Sequence, residues 1–173
     1  KINQATQSEK GCSIFTYQVS DPENYGIVHM DINRKVLSIE EKPSKSSSSL
    51  AITGLYFFDN SVVDKSFELS KSKRDELEIT DLIKIYNQQN NLDVISFGRG
   101  FAWLDTGNHN TLLSAGQFVE TIEKRQGLKI ACIEEIALRN NWISVIDLEN
   151  IIKNSKKNDY TSYLGRILTE FKS

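Results

Sequence analysis

The chain has 173 residues, of which 39% are hydrophobic and 25% charged, and these proportions fit one globular domain, with or without an appendage, rather than a disordered polymer. Its formal net charge is −2 with acids and bases interspersed, so the basic surface typical of nucleic-acid-binding proteins is missing. No apolar run approaches the roughly 20 residues that cross a bilayer, and the N-terminus lacks the apolar segment of a signal peptide. We therefore expect a soluble, cytoplasmic protein that binds neither nucleic acid nor membranes.

The two cysteines and the first residue give two further expectations. Cys12 and Cys132 lie far apart, and neither belongs to a Cys-x-x-Cys or Cys/His cluster of the kind that holds zinc. We predict that both are reduced, buried thiols. The chain begins with Lys1, and its one methionine is Met30. We therefore expect it to be a piece of a longer protein.

Short strands separated by turns are predicted for the first third of the chain. β-Branched and aromatic residues are concentrated in residues 12–19, 25–31, 35–41 and 52–59. Residues 31–34 suit a hairpin turn between the second and third strands. The serine-rich residues 44–50 are too polar and too simple to pack, so we expect a mobile loop there.

Helices are predicted to follow. Residues 61–69 suit a short helix, and Thr80 with Asp81 is a start signal for the next one. A further strand is predicted at residues 92–98.

The strongest helical pattern comes after Asp105. Apolar residues recur there at steps of three and four, and two more widen the stripe: Leu112, Ala115, Val119 and Ile122, with Leu113 and Phe118. Lys124 and Arg125 suit the last turn of this helix, and Gly127 suits the residue just past its end.

Beyond Gly127 the predicted elements are mostly short helices. Short helices are predicted at residues 134–141, 144–154 and 160–171, and the one segment that resembles a strand is residues 128–132. Strands mixed with helices and followed by a helical tail predict an α/β layer with an all-helical C-terminal appendage.

The segment Glu-Glu-Lys-Pro at residues 40–43 follows the third predicted strand. Because side chains alternate along a strand, Glu40 and Glu41 point to opposite faces, and only one of them can face a given ligand. Lys42 is a flexible point charge that suits a phosphate. From spacing alone, a polar strand end that leads into the serine-rich loop is the simpler interpretation.

Two more motifs allow a functional and a structural interpretation. Gly26, beside Tyr25, can let a ligand ring approach the backbone closely, or it can serve only as turn punctuation. Arg74, ahead of a predicted helix, can clamp a phosphate, or it can belong to a solvated charged stretch. In both cases the motif alone favours the structural interpretation.

Asp105 follows Trp103 and Leu104 at the end of an apolar segment and precedes the strongest predicted helix. Ligands of α/β sheets gather at the carboxyl ends of strands, where a carboxylate can hold Mg²⁺. Alternatively, Asp105 stabilises the start of the helix with no metal present. Because Mg²⁺ normally takes one or two carboxylates together with phosphates and water, a partner for Asp105 would lie outside this chain.

Other common catalytic patterns are missing. His29 and His109 stand alone without a matching nucleophile pattern, so a core or surface role is expected for both. The sequence has no Gly-x-Gly-x-x-Gly motif and no Walker-type loop, so a nucleotide is not cradled by this segment in those ways.

Six stretches taken together resemble one family. They are DPENYGIV, SIEEKP, ITGLYFFD, ELEITDL, GRGFAWLDTG and AGQFVETIEKRQGLKIACIEEIA. In order and approximate spacing they resemble bacterial glucose-1-phosphate thymidylyltransferases, from Gly11 to about Ile167. The resemblance implies a Rossmann-like mixed-sheet nucleotidyltransferase fold, of which this chain is the C-terminal part.

The resemblance also implies a division of labour and a reaction. Residues 1–127 would be the sugar-phosphate-binding part, without the N-terminal nucleotide loop and the first metal-binding aspartate, and residues 128–173 a helical assembly and regulatory segment. The complete enzyme would transfer a deoxythymidylyl group from dTTP to glucose 1-phosphate with Mg²⁺, as a homo-oligomer, a tetramer in the family. The segment alone is expected to be inactive.

Site residues follow from the same motifs, position by position. The resemblance places Tyr25, Gly26, Glu41, Ile52 and Thr53 in the glucose pocket, Lys42 and Arg74 on the sugar phosphate with Trp103 beside them, Asp105 as the second Mg²⁺ ligand, and Arg99, Glu135 and Arg139 at the edge of a regulatory nucleotide site between subunits.

Two departures from the family pattern and two rival functions stay open. Asp75 stands where the pattern has glycine, and a carboxylate beside Arg74 would oppose anion binding unless it points away. Ile133 replaces proline and can alter the start of the following helix. The rival functions are a non-catalytic sugar-phosphate-binding or oligomerisation module, and a uridylyl or cytidylyl transferase for another sugar phosphate.

Overall fold

The computed structural model describes residues 1–172 and forms two compact units. The first unit runs from Lys1 to Trp103, and the second begins at Leu104. The division at residue 127 inferred from the sequence concerns function and stays a prediction. In contacts, the long helix after Asp105 belongs to the second unit.

The first unit alternates strands with short helices. Its elements are α1 (Ile2–Thr6), β1 (Cys12–Gln18), β2 (Gly26–Met30), β3 (Val36–Glu41), β4 (Leu50–Phe58), α2 (Val62–Phe67), α3 (Ile79–Gln88) and β5 (Leu92–Ser96), with a 3₁₀ turn at Pro22–Asn24. All five predicted strands and both predicted helices are confirmed.

The second unit is helical. It contains α4 (His109–Gln126), α5 (Ile133–Arg139), α6 (Val145–Asn154) and α7 (Asp159–Lys172). The predicted helices are confirmed, but residues 128–132 form a turn rather than a strand. Within residues 104–172 no strand offers this short segment a ladder to pair with.

The five strands form one mixed sheet in the order β3-β2-β4-β1-β5. β1 pairs in parallel with β5, and the other pairs are antiparallel. A mixed sheet flanked by helices confirms the predicted α/β class. The register places Gly26 of β2 opposite Glu41 of β3, so the start of one strand meets the end of the next.

The main core of the first unit lies between the sheet and α3. Its buried members are Cys12, Ile14, Val28, Ile39, Ile52, Leu82, Ile83 and Tyr86. Burial, with a contribution from Asp59, raises the pKa of the Cys12 thiol to about 12. Cys12 and Cys132 are both free and buried, as predicted.

The β2–β3 hairpin confirms the predicted turn. The Asp31 carboxylate accepts hydrogen bonds from the amides of Asn33 and Lys35 at 2.9 and 2.8 Å. Arg34 takes the left-handed conformation with φ of 65°. Asp and Asn stabilise turns in this way because their side chains bond amides two or more residues ahead.

The serine-rich segment is a loop, as predicted, but it is not too polar to pack. Ser46 and Ser48 are half-buried. The Ser48 hydroxyl donates to the carbonyl of Val28 at 2.6 Å, and the Ser49 carbonyl accepts from the amide of Val19. The expectation failed because serine hydroxyls can satisfy backbone groups beyond the end of a strand ladder.

The start of α3 differs by one residue from the predicted signal. The helix begins at Ile79, and its N-cap is Glu78, whose side chain makes no capping bond. Thr80 is therefore inside the helix and buried, with 1% of its surface exposed, rather than at the exposed cap. The Glu78 carboxylate is unavailable as a cap because it bonds Ser72 and Arg74 instead.

Helix α4 has well-formed ends. The Asn108 side chain accepts from the amides of Asn110 and Thr111, and the Thr111 hydroxyl accepts from the Asn108 amide. Gly127 ends the helix in the left-handed conformation with φ of 70°. The alternative in which Asp105 caps this helix is therefore wrong, because Asn108 does so three residues later.

The predicted apolar stripe of α4 lies at the surface. No residue of α4 is buried, and Leu112, Leu113 and Phe118 are 56%, 63% and 38% exposed. The core of the second unit is instead formed by the other three helices and the residue before them, with Cys132, Leu138, Leu148, Tyr163, Leu164 and Ile167 buried.

None of the helices in residues 1–172 combines the length and the apolar character needed to span a membrane.

We expect Asn108→Ala to lower the free energy of unfolding by about 1 kcal/mol, because two first-turn amides lose their acceptor. Urea denaturation followed by circular dichroism measures this loss. Asn110→Ala is the matched control, since Asn110 is exposed and its side chain does not cap the helix. A loss on Asp105→Ala with none on Asn108→Ala would restore Asp105 as the cap.

Candidate functional site

Gly26 lies where four elements of the first unit meet. A Cβ atom on Gly26 would lie 2.7 Å from Cγ2 of Thr80, 3.2 Å from Oε2 of Glu41 and 3.6 Å from Cδ1 of Ile52. A side chain at this position is therefore excluded by contact with α3 and β3. The sequence suggested that Gly26 either lets a ligand ring approach or only marks a turn. The structure shows a third reason for the glycine, which is that it makes room for helix α3.

Thr80 also lies at this junction, although the sequence predicted only that it marks the start of a helix. Its hydroxyl is buried and has no hydrogen-bond partner among residues 1–172. A buried hydroxyl without a partner is costly, so Thr80 is open to a bond from a ligand or a water molecule. The sequence feature that could have identified Thr80 as a site residue is its position in the motif ELEITDL.

Arg74 joins the same junction from the loop before α3. Its Nη1 lies 3.6 Å from Oε1 of Glu41 and 3.4 Å from Oε1 of Glu78, and its Nη2 lies 2.9 Å from Oε2 of Glu76. The structure thus brings together Glu41 and Arg74, which two separate motifs had singled out. Glu76 and Glu78 were missed, although both are in the motif that follows Arg74.

Ser72 fixes the geometry of this loop. Its hydroxyl donates to Oε1 of Glu78 at 2.8 Å and accepts from the amide of Arg74 at 3.1 Å. Glu78 is 8% exposed, so it holds its place next to the guanidinium. A buried carboxylate is stable only when it is paired and hydrogen-bonded, and here Ser72 and Arg74 meet both needs.

Asp75 points away from the site. It takes the left-handed conformation with φ of 61°, which explains the glycine expected at this position of the family pattern. Aspartate tolerates this conformation better than most residues. Its side chain is 83% exposed and pairs with Lys71 at 2.9 Å, so it makes no contact with Arg74.

Lys42 follows Glu41 at the end of β3. Its amide donates to the carbonyl of Tyr25 at 3.0 Å, and its φ of 41° is also left-handed. The Lys42 side chain is exposed and forms no ion pair within residues 1–172. The predicted alternation is confirmed, because Glu40 lies 3.5 Å from Nε2 of His29 while Glu41 faces Arg74.

An aromatic group lies at the carboxyl end of β1. Tyr25 meets Trp103 edge to face, with ring centres 5.1 Å apart and an angle of 65° between the rings. Tyr17, which sequence reasoning missed, lies 6.0 Å from Trp103, and its hydroxyl donates to the carbonyl of Phe101. Such pairs stabilise a site through ring contact as well as through buried area.

Ile52 and Thr53 are buried in β4. Ile52 packs in the main core and is 6% exposed. Thr53 is 1% exposed, and its hydroxyl donates to the carbonyl of Phe15 at 3.2 Å. The Ile52 side chain packs near Gly26, and a role in contacting glucose stays a prediction for both residues.

Asp105 is exposed and forms no hydrogen bond or ion pair with any of residues 1–172. A Cβ atom on Gly107 would lie 3.1 Å from Oδ2 of Asp105, so this glycine leaves space beside the carboxylate. Within residues 1–172, no group of three or more histidine, cysteine or acidic side chains is arranged to hold a metal. A role for Asp105 as one oxygen ligand of Mg²⁺ stays a prediction.

The three residues predicted for a regulatory site have different surroundings. Arg99 is exposed in the first unit. In the second unit, Glu135 accepts bonds from Nε of Arg139 at 2.8 Å and from the hydroxyl of Tyr163, and its carboxylate raises the pKa of Arg139. The ion pair between Glu135 and Arg139 thus has a structural role within the second unit. Helix α5 begins at Ile133, with Cys132 as its N-cap.

A cavity of about 580 Å³ in the first unit lies apart from these residues. It runs beside β5, at one edge of the sheet, and Arg34, Asp93 and Ser96 are among its lining residues. Arg34 already donates to the Ser96 hydroxyl at 3.3 Å. None of the site residues predicted from the sequence lines this cavity.

Comparison with known proteins decides the family. A family model described as nucleotidyl transferase matches residues 1–122. The chain belongs to the nucleotidyl transferase family. This confirms the resemblance found in the sequence.

Several nucleotidyl transferases are similar over most of the chain. A glucose-1-phosphate thymidylyltransferase of Neisseria meningitidis is 47% identical over 96% of the chain and 58% of its own length. One from Xanthomonas campestris is 46% identical over 94% of the chain and 55% of its own length. The chain therefore spans little more than half of these relatives.

A solved structure shows the same similarity in three dimensions. It is a Bacillus anthracis protein assigned as a glucose-1-phosphate thymidylyltransferase and crystallised with sucrose. It matches with a TM-score of 0.60 and 35% identity over 68% of this chain and 46% of its own.

We expect Gly26→Ala to lower the free energy of unfolding by about 1–3 kcal/mol, because the new methyl group collides with Cγ2 of Thr80. Thr80→Ser removes that Cγ2 atom, so the double variant should regain most of the loss. Urea denaturation of the four proteins gives the coupling between the two sites.

Gly54→Ala is the control for this experiment. Gly54 is also in a strand, but a Cβ atom there meets nothing within 4 Å, so little change is expected. An equal loss on Gly26→Ala with and without Thr80→Ser would show that the contact with α3 is not the reason for the glycine.

Proposed function

We propose that this chain is the sugar-phosphate-binding part of a nucleotidyl transferase that makes dTDP-glucose and pyrophosphate from dTTP and α-D-glucose 1-phosphate. The observation that carries the proposal is the convergence of Gly26, Glu41 and Arg74 on one junction of the first unit. These residues come from three separate motifs. The names of the relatives support the choice of substrates.

The junction has the chemistry to bind a sugar phosphate. Glu41 is an acceptor for sugar hydroxyls, and its side chain is 20% exposed, so it can be reached from solvent. Arg74 offers a planar set of donors that matches phosphate oxygens, and Lys42 adds a mobile positive charge. Trp103 and Tyr25 provide an aromatic wall, and Thr80 adds a buried hydroxyl.

The proposed reaction needs no general base. An oxygen of the sugar phosphate, which is an anion at neutral pH, attacks the α-phosphorus of dTTP, and the bond from that phosphorus to pyrophosphate breaks. Arg74 and Lys42 hold the attacking phosphate in position, and positioning accounts for much of the rate in such transfers. Bound Mg²⁺ would neutralise charge on the triphosphate, with Asp105 as one of its ligands.

We also propose an assembly role for the second unit in a cytoplasmic homo-oligomer. Large apolar side chains are exposed there, with Trp142, Ile133 and Ile146 at 74%, 70% and 68%. Tryptophan is enriched among the residues that contribute most to binding at protein interfaces. From the family resemblance we further propose that the oligomer is a tetramer. We also propose that Arg99, Glu135 and Arg139 lie at the edge of a regulatory nucleotide site between subunits.

We expect this chain to bind glucose 1-phosphate but to release no pyrophosphate from dTTP and Mg²⁺, because it spans little more than half the length of its thymidylyltransferase relatives. Titration calorimetry measures the binding, and a coupled pyrophosphate assay measures turnover. Clear pyrophosphate release would refute the claim that a further segment is essential. It would also let UTP and CTP be compared with dTTP, which tests the uridylyl and cytidylyl alternatives.

We expect Arg74→Gln to weaken glucose 1-phosphate binding by about tenfold or more, since charge-assisted bonds to phosphate are worth roughly 1.5–3 kcal/mol. Lys71→Gln is the matched control, because Lys71 is a cation of the same loop that pairs with Asp75. Equal affinities for Arg74→Gln and the unaltered chain would show that the phosphate binds elsewhere.

A further inference from the structure

We propose that the Glu76 carboxylate occupies, on Arg74, the position that the phosphate group of the sugar phosphate takes when it binds. The inference rests on the proposed function, in which Arg74 is the phosphate ligand, and adds a residue that sets the affinity. In the structure, Nη2 of Arg74 lies 2.9 Å from Oε2 of Glu76.

The three carboxylates around Arg74 differ in how easily they can leave. Glu78 is 9% exposed at its side chain and is tied to Ser72, and Glu41 is 20% exposed at the end of β3. Glu76 is 57% exposed and has no other side-chain partner within residues 1–172. Glu76 is therefore the carboxylate that can swing into solvent at the lowest cost.

The geometry also separates the two ends of the guanidinium. Nη1 faces Glu41 and Glu78, while Nη2 faces Glu76. An incoming phosphate that replaces Glu76 meets Nη2 from the solvent side, and Glu78 keeps Nη1 in place. Arg74 can thus exchange one anion for another without losing its anchor.

Charge balance supports this exchange. One guanidinium beside three carboxylates leaves an excess of negative charge, which would repel a phosphate that arrived with all three still in contact. Departure of Glu76 relieves part of this repulsion, and the exposed Lys42 supplies a further positive charge.

Competition between Glu76 and the phosphate for Arg74 predicts that removal of the Glu76 carboxylate strengthens ligand binding. Removing a residue that merely maintains the loop would weaken ligand binding. Removing a competitor strengthens it, because the phosphate no longer has to displace an ion pair. Ion pairs at this exposure are weak, so the expected gain is about two- to fivefold in affinity.

The experiment compares glucose 1-phosphate binding to the full 173-residue chain and its variants by NMR titration, following the Gly26 amide and the Arg74 side-chain Nε–H. We expect Glu76→Gln to bind about two- to fivefold more tightly. Inorganic phosphate should show the same gain. Uncharged glucose should show none, because the competition concerns the phosphate alone.

Asp75→Asn is the matched control. It removes one carboxylate from the adjacent position, and asparagine keeps the left-handed backbone that Asp75 adopts. Because Asp75 contacts Lys71 and not Arg74, its loss should change the affinity little at physiological salt. Glu76→Asp, which keeps the charge but shortens the reach, should fall between the unaltered chain and Glu76→Gln.

The outcomes separate this inference from the proposed function. A gain on Glu76→Gln that disappears when Arg74→Gln is also present supports the exchange at Arg74. Unchanged or weaker binding by Glu76→Gln, or a gain matched by Asp75→Asn, overturns the inference and leaves the phosphate site standing. If Arg74→Gln alone has no effect, or the unaltered chain shows no saturable binding, the phosphate site itself is wrong and the inference falls with it.

Discussion

The contact between Thr80 and Gly26 is the constraint on which the candidate site depends. The first turn of α3 approaches β2 so closely that a methyl group on Gly26 would lie 2.7 Å from Cγ2 of Thr80. Because Gly26 is paired with Glu41, the same approach fixes the end of β3 against the helix. The loop before α3 then carries Arg74 to within 3.6 Å of Glu41. One close contact between a helix and a sheet thus brings together residues from three parts of the sequence.

The regular elements could be predicted from the sequence because their signals are local. Alternating β-branched and aromatic residues predicted the strands, and the spacing of Leu112, Ala115 and Val119 predicted α4. Gly127 was predicted at its end because only a few residues favour the left-handed conformation found there. The exposure of the α4 stripe could not be predicted, since periodicity shows which residues share a face and not what covers it.

The site could be predicted only in part. The motifs identified Glu41 and Arg74, but not the ion pairs that Arg74 makes with Glu76 and Glu78, because these depend on how one loop folds back on itself. Thr80 was read as a helix signal, although its burial comes from packing against a glycine more than fifty positions earlier in the sequence. Such long-range contacts leave no periodic trace, so they emerge only from the tertiary structure.

Backbone conformation supplies the last step in the construction of the site. Lys42 directly follows Glu41, Asp75 directly follows Arg74, and both followers have positive φ, at 41° and 61°. A left-handed residue other than glycine costs on the order of 1 kcal/mol, so each persists only where surrounding bonds hold it. The Lys42 amide is held by the Tyr25 carbonyl, and the Asp75 amide by the carbonyl of Ser72.

Each of these left-handed residues directly follows a residue that faces the junction. An extended residue after Glu41 would continue β3, and an extended residue after Arg74 would carry the loop past Glu78. The turn at Asp75 instead lets the following glutamates fold back onto the guanidinium while Asp75 itself points to Lys71. Left-handed backbone at two positions thus helps to place a strand end and a charged loop at one junction.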